Sequence, residues 1–418
     1  MTLTAEQAVL DAHYMVCAIE LARKGLYTTH PNPRVGCVIV RDGQVVGEGW
    51  HERTGEPHAE VHALRAAGAL ARGATAYVTL EPCSHHGHTP PCADGLLHAG
   101  IARVVAAMQD PNPEVAGRGL KRLADAGVDV RSGVLEQEAR ALNPGFLKRM
   151  EHGLPFVRVK MAMSLDGRTA MANGESQWIT GPAARSAVQR LRAEASVVLT
   201  GADTVLADGA RLTVRGPELG LSPELTALAL SRPPLRVLID GRLRVPLDAP
   251  FFKAGPALVA TCVPPAEQYR TGPECLVIHG ANGQVDLRKL LQALAARGVN
   301  EVLVEAGPRL AGAFAEQGLV DEYQIFVAAK FLGSTARPLL ELPLTHMSEA
   351  PLLKITSWLD DEHACQLLTH LKGFCLQGRG ILWVTHDLAL AARFADRIAV
   401  LHRVRSAFVR PPVPLAES

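Results

Sequence analysis

Residues 81–92 read EPCSHHGHTPPC, with eight residues between Cys83 and Cys92. Upstream stands GEPHAEVHAL, in which Glu60 follows His58 by two positions. Two thiolates and one imidazole suit a zinc ion and leave its fourth tetrahedral position open to water. Zinc lowers the pKa of such a water towards about 7, so hydroxide forms near neutral pH. Glu60 need not be a ligand. A free carboxyl beside the ion takes a proton from water and returns it to a reacting nitrogen. A purely structural zinc module would normally carry four protein ligands, and only three are apparent.

The spacing H-x-E followed by P-C-x8-C resembles the zinc-deaminase signature, with a longer loop between the cysteines. The elements needed to hold such a site are legible nearby. Pro57 suits the first turn of a helix, which would carry His58 and Glu60. An apolar strand over 76–80 leads to Cys83, and the stretch ADGLLHAG makes Cys92 the entry to a helix. A thiolate there is favoured by the unpaired N–H groups and the helix dipole. His62, one turn beyond His58, is expected on the helix surface, and Cys17 and Cys37 in the core.

The wider pattern alternates strands and helices. Apolar spacing predicts a helix over 5–24, a hairpin over 35–50 and strands at 104–107 and 128–130. After Asn143-Pro144-Gly145 a second α/β unit is expected, with strands at 156–161, 197–200, 236–240, 258–261, 276–279, 302–305 and 323–328. Helices are predicted at 183–194, 286–297 and 308–317, and residues 216–234 read as a surface excursion. The expected division is 1–145, 146–355 and a tail, 356–418.

Composition sets further bounds. The 418 residues are 48% hydrophobic and 20% charged, which is ordinary for a globular chain with buried cores. Forty-three basic and 42 acidic residues give no net-charge argument for nucleic acid or an anionic membrane. No apolar run reaches the length of a membrane span, and the start of the chain lacks a signal-peptide pattern. Eight cysteines without an export signal read as thiols or metal ligands, so a cytoplasmic location is expected.

The segments THPNPRVGCVIV, GWHERTGEPHAEVHAL, VTLEPCSHHGHTPPC, MQDPNPEVAGRGL, VKMAMSLDGRTA, ESQWITG, TVLAD and LVEAGPRLAGAF occur in that order. Together they resemble the bifunctional deaminase–reductases of bacterial riboflavin biosynthesis over about residues 5–355. The resemblance implies a cytidine-deaminase-like three-layer α/β sandwich followed by a dihydrofolate-reductase-like α/β domain. It implies zinc-dependent deamination of 2,5-diamino-6-(5-phosphoribosylamino)pyrimidin-4(3H)-one, then NADPH reduction of the ribosyl unit to ribityl.

On that resemblance His58, Cys83 and Cys92 are the zinc ligands, Glu60 the proton shuttle and Asn32 the reader of the pyrimidine edge. NADPH contacts fall on Ala162, Trp178, Thr204, Asp208 and Gly241, and on the turn Gly307, Pro308, Arg309, Leu310, Ala311, Gly312 and Ala313. That turn also reads physically as a phosphate site, because a strand runs through glycine into a helix start. Reductase substrate contacts fall on Lys160, Ser176, Arg192, Leu212, Arg215 and Glu305. Arg192 and Arg215 are candidates for the ribose phosphate, since guanidinium forks fit phosphate oxygens. Lys160 is expected at a strand end, and Trp178 has a competing reading as a core aromatic. The implied partners are small phosphoribosylated pyrimidines, with homo-oligomers (dimer or tetramer) common in the family.

Three features depart from the family pattern. His88 stands where Arg is usual, and Asp208-Gly209-Ala210 where Asp-Asp-Pro is usual. Beyond residue 355, SWLDDEHACQLLTHL and ILWVTHD resemble the C-terminal part of an ABC-transporter ATPase, although the chain has no G-x4-G-K-[ST] phosphate loop. A non-catalytic tail that impairs the reductase is therefore one alternative. A nucleic-acid-editing zinc deaminase is another, but it predicts a basic, aromatic-bearing face, and the chain is only 5% aromatic.

Overall fold

The computed structural model describes residues 4–84, 91–112, 115–269, 272–355, 398–402 and 406–410. His85, His86 and His88 lie outside them, as do the stretches of the tail that carry its ATPase-like motifs. Contacts divide the chain into two units. One comprises Met1–Met161 with Pro182–Ile325, the other Ala162–Gly181 with Phe326–Ser418.

The first half runs α1 (Ala5–Arg23), β1 (Gly36–Arg41), β2 (Gln44–Trp50), α2 (Ala59–Ala67), β3 (Thr75–Val78), α3 (Cys92–Ala99), β4 (Arg103–Ala106), α4 (Arg118–Asp125), β5 (Asp129–Ser132), α5 (Glu136–Leu142) and α6 (Pro144–His152). Its five strands form one sheet in the order β2-β1-β3-β4-β5. β1 is antiparallel to β2 and β3, while β3, β4 and β5 run parallel. Side chains alternate across a strand, and both faces of this sheet are covered. Val38, Val40 and Tyr77 pack with α1, α5 and α6. Cys37, Ile39, Ala76 and Val78 pack with α2, α3 and α4. The result is the expected three-layer sandwich. Cys37 is fully buried, and Cys17 packs at the edge of the core. The expected boundary between residues 145 and 146 falls inside α6, whose Phe146 and Leu147 pack in the first core.

Bare backbone brings α2 down onto the sheet. A Cβ at Gly49 would lie 2.4 Å from the Ala59 carbonyl oxygen, and one at Gly47 2.3 Å from that of Ala63. Only glycine allows this approach, and it sets the position of the helix that starts after His58.

The chain continues as β6 (Phe156–Ser164), β7 (Arg168–Ala170), α7 (Pro182–Glu194), β8 (Val197–Gly201), α8 (Ala202–Asp208), α9 (Pro223–Leu230), β9 (Leu235–Ile239), α10 (Pro250–Lys253), β10 (Ala257–Thr261), β11 (Glu274–Val277), α11 (Leu287–Ala296), β12 (Glu301–Val304), α12 (Pro308–Glu316) and β13 (Glu322–Ala328). A seven-stranded sheet follows the order β11-β10-β9-β8-β12-β6-β13. β6, β8, β9, β10, β11 and β12 pair in parallel, as strands joined by helical crossovers do. The chain leaves β8 towards β9 and leaves β12 towards the opposite edge. The strand order therefore reverses between β8 and β12, which is where open α/β sheets form their ligand crevice.

In the second unit β7 pairs antiparallel with β14 (Arg337–Pro338). Asp166 anchors the adjoining turn by accepting from the Leu332 and Gly333 N–H groups at 3.1 and 2.8 Å. In the tail, β15 (Ile398–His402) and β16 (Ser406–Arg410) form an antiparallel pair.

Residues 216–234 are largely exposed, as expected of a surface excursion, and a few buried residues anchor them. Leu219, before α9, and Ala229, on it, are fully buried and pack with Ala193 and with Tyr27 of the first half. Apolar contact across the two α/β layers thus turns a Pro/Leu-rich stretch into part of their joint. The joint is polar elsewhere. Arg34 pairs with Glu301 at 3.0 Å, and the Asn143 side chain bonds both the N–H and the carbonyl of Arg34, at 2.7 and 2.9 Å.

Burial, with Glu301 beside it, pushes the Glu194 carboxyl in this joint up to about 7 against the pull of Arg158, Arg34 and Arg190. An unfolded glutamate titrates near about 4.3. The folded group therefore holds a proton that the unfolded one has released, and stability is lost as pH rises through this interval. Glu194→Gln removes that loss. We expect it to raise Tm at pH 8, by the equivalent of roughly 2–3 kcal/mol, with a much smaller gain at pH 5. Melting curves at the two pH values check this, and an equal or larger gain at pH 5 would contradict it.

Candidate active sites

The first site is built at the start of α2 and the end of β3. His58 is the N-cap of α2 in an extended conformation, so its ring stands off the helix while Glu60 sits in the first turn. Cys92 is the first residue of α3, and its N–H donates to the Cys83 sulfur at 3.3 Å. His58 Nδ1 lies 3.7 Å from Cys83 Sγ and 3.3 Å from Cys92 Sγ. All three ligand atoms lie within 4.8 Å of one another.

Tetrahedral zinc, with bonds of about 2.0–2.3 Å, needs donor atoms roughly 3.3–3.8 Å apart. Both imidazole–sulfur distances meet that requirement. His62 does not belong to the cluster.

The electrostatics suit a cation. Cys83 is held as a thiolate by hydrogen bonding from Cys92 and His58, against its own burial. Cys92 is pushed the other way by Cys83 and by burial, so without a cation the two sulfurs share one negative charge. Hydrogen bonding to Cys83 draws the His58 pKa up. Glu60 is almost completely buried, and burial raises its carboxyl above the ordinary range.

Two residues of this site escaped the sequence reading. His51 is buried, and its ring lies 5.4 Å from that of His58. Its Nδ1 is 3.1 Å from the Pro57 carbonyl, which only accepts, so Nε2 is left to accept from Asn32 Nδ2 at 3.2 Å. Burial lowers the His51 pKa, in keeping with a neutral ring. Nothing in the sequence distance between Asn32 and His51 announced this pair.

Glu81 is the other. Its buried carboxylate accepts from the N–H groups of Asp110, Gly117, Gly119 and Leu120 at 2.8–3.2 Å. It thereby ties the segment Asp110–Leu120 to the backbone that delivers Cys83. An acid between an apolar strand and Pro82-Cys83 was a readable signal, because buried charges are rare unless paired.

The second site gathers at the switch point of the larger sheet. β8 ends in Gly201 and passes into α8, which carries Thr204 and Asp208. β12 leads through Glu305 to Gly307, the N-cap of α12, where no side chain caps the free N–H groups. A Cβ at Gly307 would meet nothing within 4 Å. Open space before uncapped N–H groups fits a phosphate. Arg309 in the first turn bonds Asp203 at 2.8 Å, and Gly241 follows β9.

Arg192 does not stand as a free phosphate clamp. Its fork is bidentate to Glu305, at 2.5 and 3.0 Å, and a third bond goes to the Thr213 carbonyl at 3.0 Å. Lys160 Nζ lies 4.0 Å from the same carboxylate. Burial alone would raise the Glu305 pKa, but Arg192, Lys160 and Arg215 outweigh it and hold the group low. Burial lowers the Lys160 pKa, countered by Glu305.

Lys160 sits inside β6, not at its end, because pairing carries the strand on to Ser164. Arg215 pairs with Glu218 at 2.8 Å, and Leu212 is buried with φ 53°. Ala162, Ser176 and Trp178 belong to the second unit. Trp178 is 60% exposed there, so the core-aromatic reading fails.

Residues 9–108 match the cytidine and deoxycytidylate deaminase zinc-binding region, and residues 155–365 match the RibD C-terminal domain. The riboflavin biosynthesis protein RibD of Escherichia coli is 53% identical over 347 residues, covering 82% of this chain and 95% of that protein. A solved structure of Acinetobacter baumannii RibD is 46% identical with a TM-score of 0.77, covering 84% of this chain and 95% of its own. A Thermotoga maritima structure described as a diaminohydroxyphosphoribosylaminopyrimidine deaminase/5-amino-6-(5-phosphoribosylamino)uracil reductase is 35% identical with a TM-score of 0.73, at 84% and 95% coverage.

Proposed function

We infer the reactions of this chain from one premise: it belongs to the RibD family of riboflavin-biosynthesis proteins. It is a bifunctional enzyme, with a zinc-dependent deaminase of cytidine-deaminase-like fold followed by an NADPH-dependent reductase of dihydrofolate-reductase-like fold. Its substrates are small molecules, and no described helix is long and apolar enough to cross a membrane.

In the deaminase, His58, Cys83 and Cys92 hold zinc, which supplies Lewis acidity that makes water nucleophilic at neutral pH. Asn32, oriented by His51, reads the edge of the diaminopyrimidine. Glu60 accepts a proton from the attacking water and delivers protons to the ring nitrogen and the departing amine. The C–N bond at ring position 2 breaks, a carbonyl forms there and ammonia leaves.

In the reductase, NADPH supplies the hydride that converts ribosyl to ribityl. We read the turn from Gly307 to Ala313 as the holder of its phosphates, with Thr204, Asp208 and Gly241 as further contacts, and the family resemblance adds Ala162 and Trp178. Glu305, kept ionised by Arg192, orders the sugar hydroxyls together with Lys160, which is also placed to give a proton. Ser176, Leu212 and Arg215 complete the substrate contacts.

The observation that carries this reading is the donor triad with Glu60 in the adjoining helical turn. The test separates the two activities. Cys83→Ser and Cys92→Ser should each release zinc and abolish ammonia formation. NADPH oxidation with the deaminated intermediate should stay within about twofold, since the second sheet has its own core. Retained deamination without zinc would refute the reading.

The cytoplasmic location and a dimeric or tetrameric assembly belong to this reading. Exposed Phe331 and Leu352 support association, and sedimentation tests it. The tail resembles an ABC-ATPase fragment without a phosphate loop, and we read it as non-catalytic.

A further inference from the structure

The loop that carries Asn32 is held from outside its own domain. His30, Pro31 and Asn32 follow α1, and His30 and Pro31 bond residues on the framework of the second sheet. Asn300, just before β12, donates from Nδ2 to the Pro31 carbonyl at 3.0 Å and accepts from Arg149 Nε at 2.6 Å. Ser196, just before β8, bonds His30 Nδ1 at 2.9 Å and accepts from the N–H groups of Asn300 and Glu301, at 3.3 and 3.1 Å. Arg149 adds a longer bond to the Pro31 carbonyl at 3.4 Å.

Among the described residues, the Asn300 side chain bonds none of the reductase sheet itself. One amide N–H and the amide oxygen bond the deaminase side, at Pro31 and at the α6 residue Arg149. A buried amide so committed fixes backbone position, because losing either bond leaves a buried polar group unsatisfied. Asn32 is the next residue after Pro31, and its N–H closes a turn onto the Thr29 carbonyl at 2.8 Å. The Pro31 carbonyl is therefore the near anchor of the Asn32 side chain, as His51 is the far one.

We propose that Asn300, a residue of the reductase half, is a positioning residue for the deaminase, fixing the Pro31 carbonyl and through it the Asn32 side chain. The proposal rests on the reading of Asn32 as the group that contacts the pyrimidine. It makes the second domain part of the first domain's substrate recognition, with no contact of its own to substrate.

The experiment uses the full chain with zinc bound and measures KM and kcat for deamination, together with zinc content and Tm. Asn300→Ala and Asn300→Asp should each raise KM about tenfold, the scale of one misplaced hydrogen bond. Zinc should stay at one per chain and kcat should change far less. Asn300→Asp retains the acceptor for Arg149 and turns an oxygen instead of the N–H donor to the Pro31 carbonyl, so it carries the test should the alanine variant fail to fold. Lys148→Ala is the control. It removes a 2.5 Å pair from α6 to Asp321 that does not touch the loop, and should lower Tm without moving KM.

Asn32→Ala sets the scale and should raise KM at least as much as the Asn300 variants. A raised KM in Asn32→Ala with an unchanged KM in both Asn300 variants overturns the proposal and leaves the Asn32 reading standing. An unchanged KM in Asn32→Ala overturns that reading and the proposal with it. A rise in Lys148→Ala equal to that in the Asn300 variants shows a general loosening of the joint and overturns the proposal as well.

Discussion

Replacing Glu60 by Gln should abolish ammonia formation while leaving one zinc per chain. The substitution keeps the shape of a nearly fully buried side chain and removes its ability to exchange protons. The three ligand atoms come from His58, Cys83 and Cys92, so the metal does not depend on the carboxylate. One group serves both proton transfers in the proposed reaction, and general acid–base catalysis is worth about 10²–10⁴ for each positioned group. A loss of kcat of about 10³-fold or more is expected. NADPH oxidation with the deaminated intermediate should persist. Metal analysis alongside kinetics decides the matter. A variant that retains deamination within about tenfold would remove Glu60 from the mechanism.

Arg192→Met attacks the second site through its buried ion pair. Arg192 and Glu305 keep only 12% and 9% of their side chains exposed. Removing the guanidinium leaves a buried carboxylate with Lys160 at 4.0 Å and the field of Arg215 to oppose its burial. Breaking one side of such a pair costs about 3–5 kcal/mol. With Arg192 gone, burial meets less opposition and the Glu305 pKa rises from its lowered value. The variant therefore loses stability relative to the parent as pH rises through the interval over which the two folded forms ionise. Melting should show a larger loss of Tm at pH 8 than at pH 5. Reduction of the ribosyl unit should be lost in both conditions. Removing both partners, with Arg192→Met and Glu305→Leu, should recover much of the stability and none of the reduction. Equal melting of Arg192→Met and the parent at pH 8 would show that the pair carries no such burden.

The first site was largely legible because its chemistry is written in short range. His58 and Glu60 share one helix start, and Cys83 and Cys92 flank one loop between a strand and a helix. What the sequence hid were partners brought together by the sheet. His51 reaches Asn32 across nineteen positions, and Glu81 gathers four N–H groups from a segment far along the chain. The period of the apolar residues placed nearly every strand of both sheets. It read 216–234 as a surface excursion without showing that Leu219 and Ala229 anchor it against Tyr27. Arg192 illustrates the same limit. Its type suggested a phosphate clamp, while the fold had already committed it to Glu305.

The contact of Gly47 and Gly49 with α2 bears on how this enzyme could be remodelled. A metal centre mounted on a helix pressed flat against bare peptide has no slack with which to absorb a new side chain beneath it. Attempts to widen the range of pyrimidines accepted should therefore leave that floor untouched and vary the walls, where the loop around Asn32 answers to separate anchors.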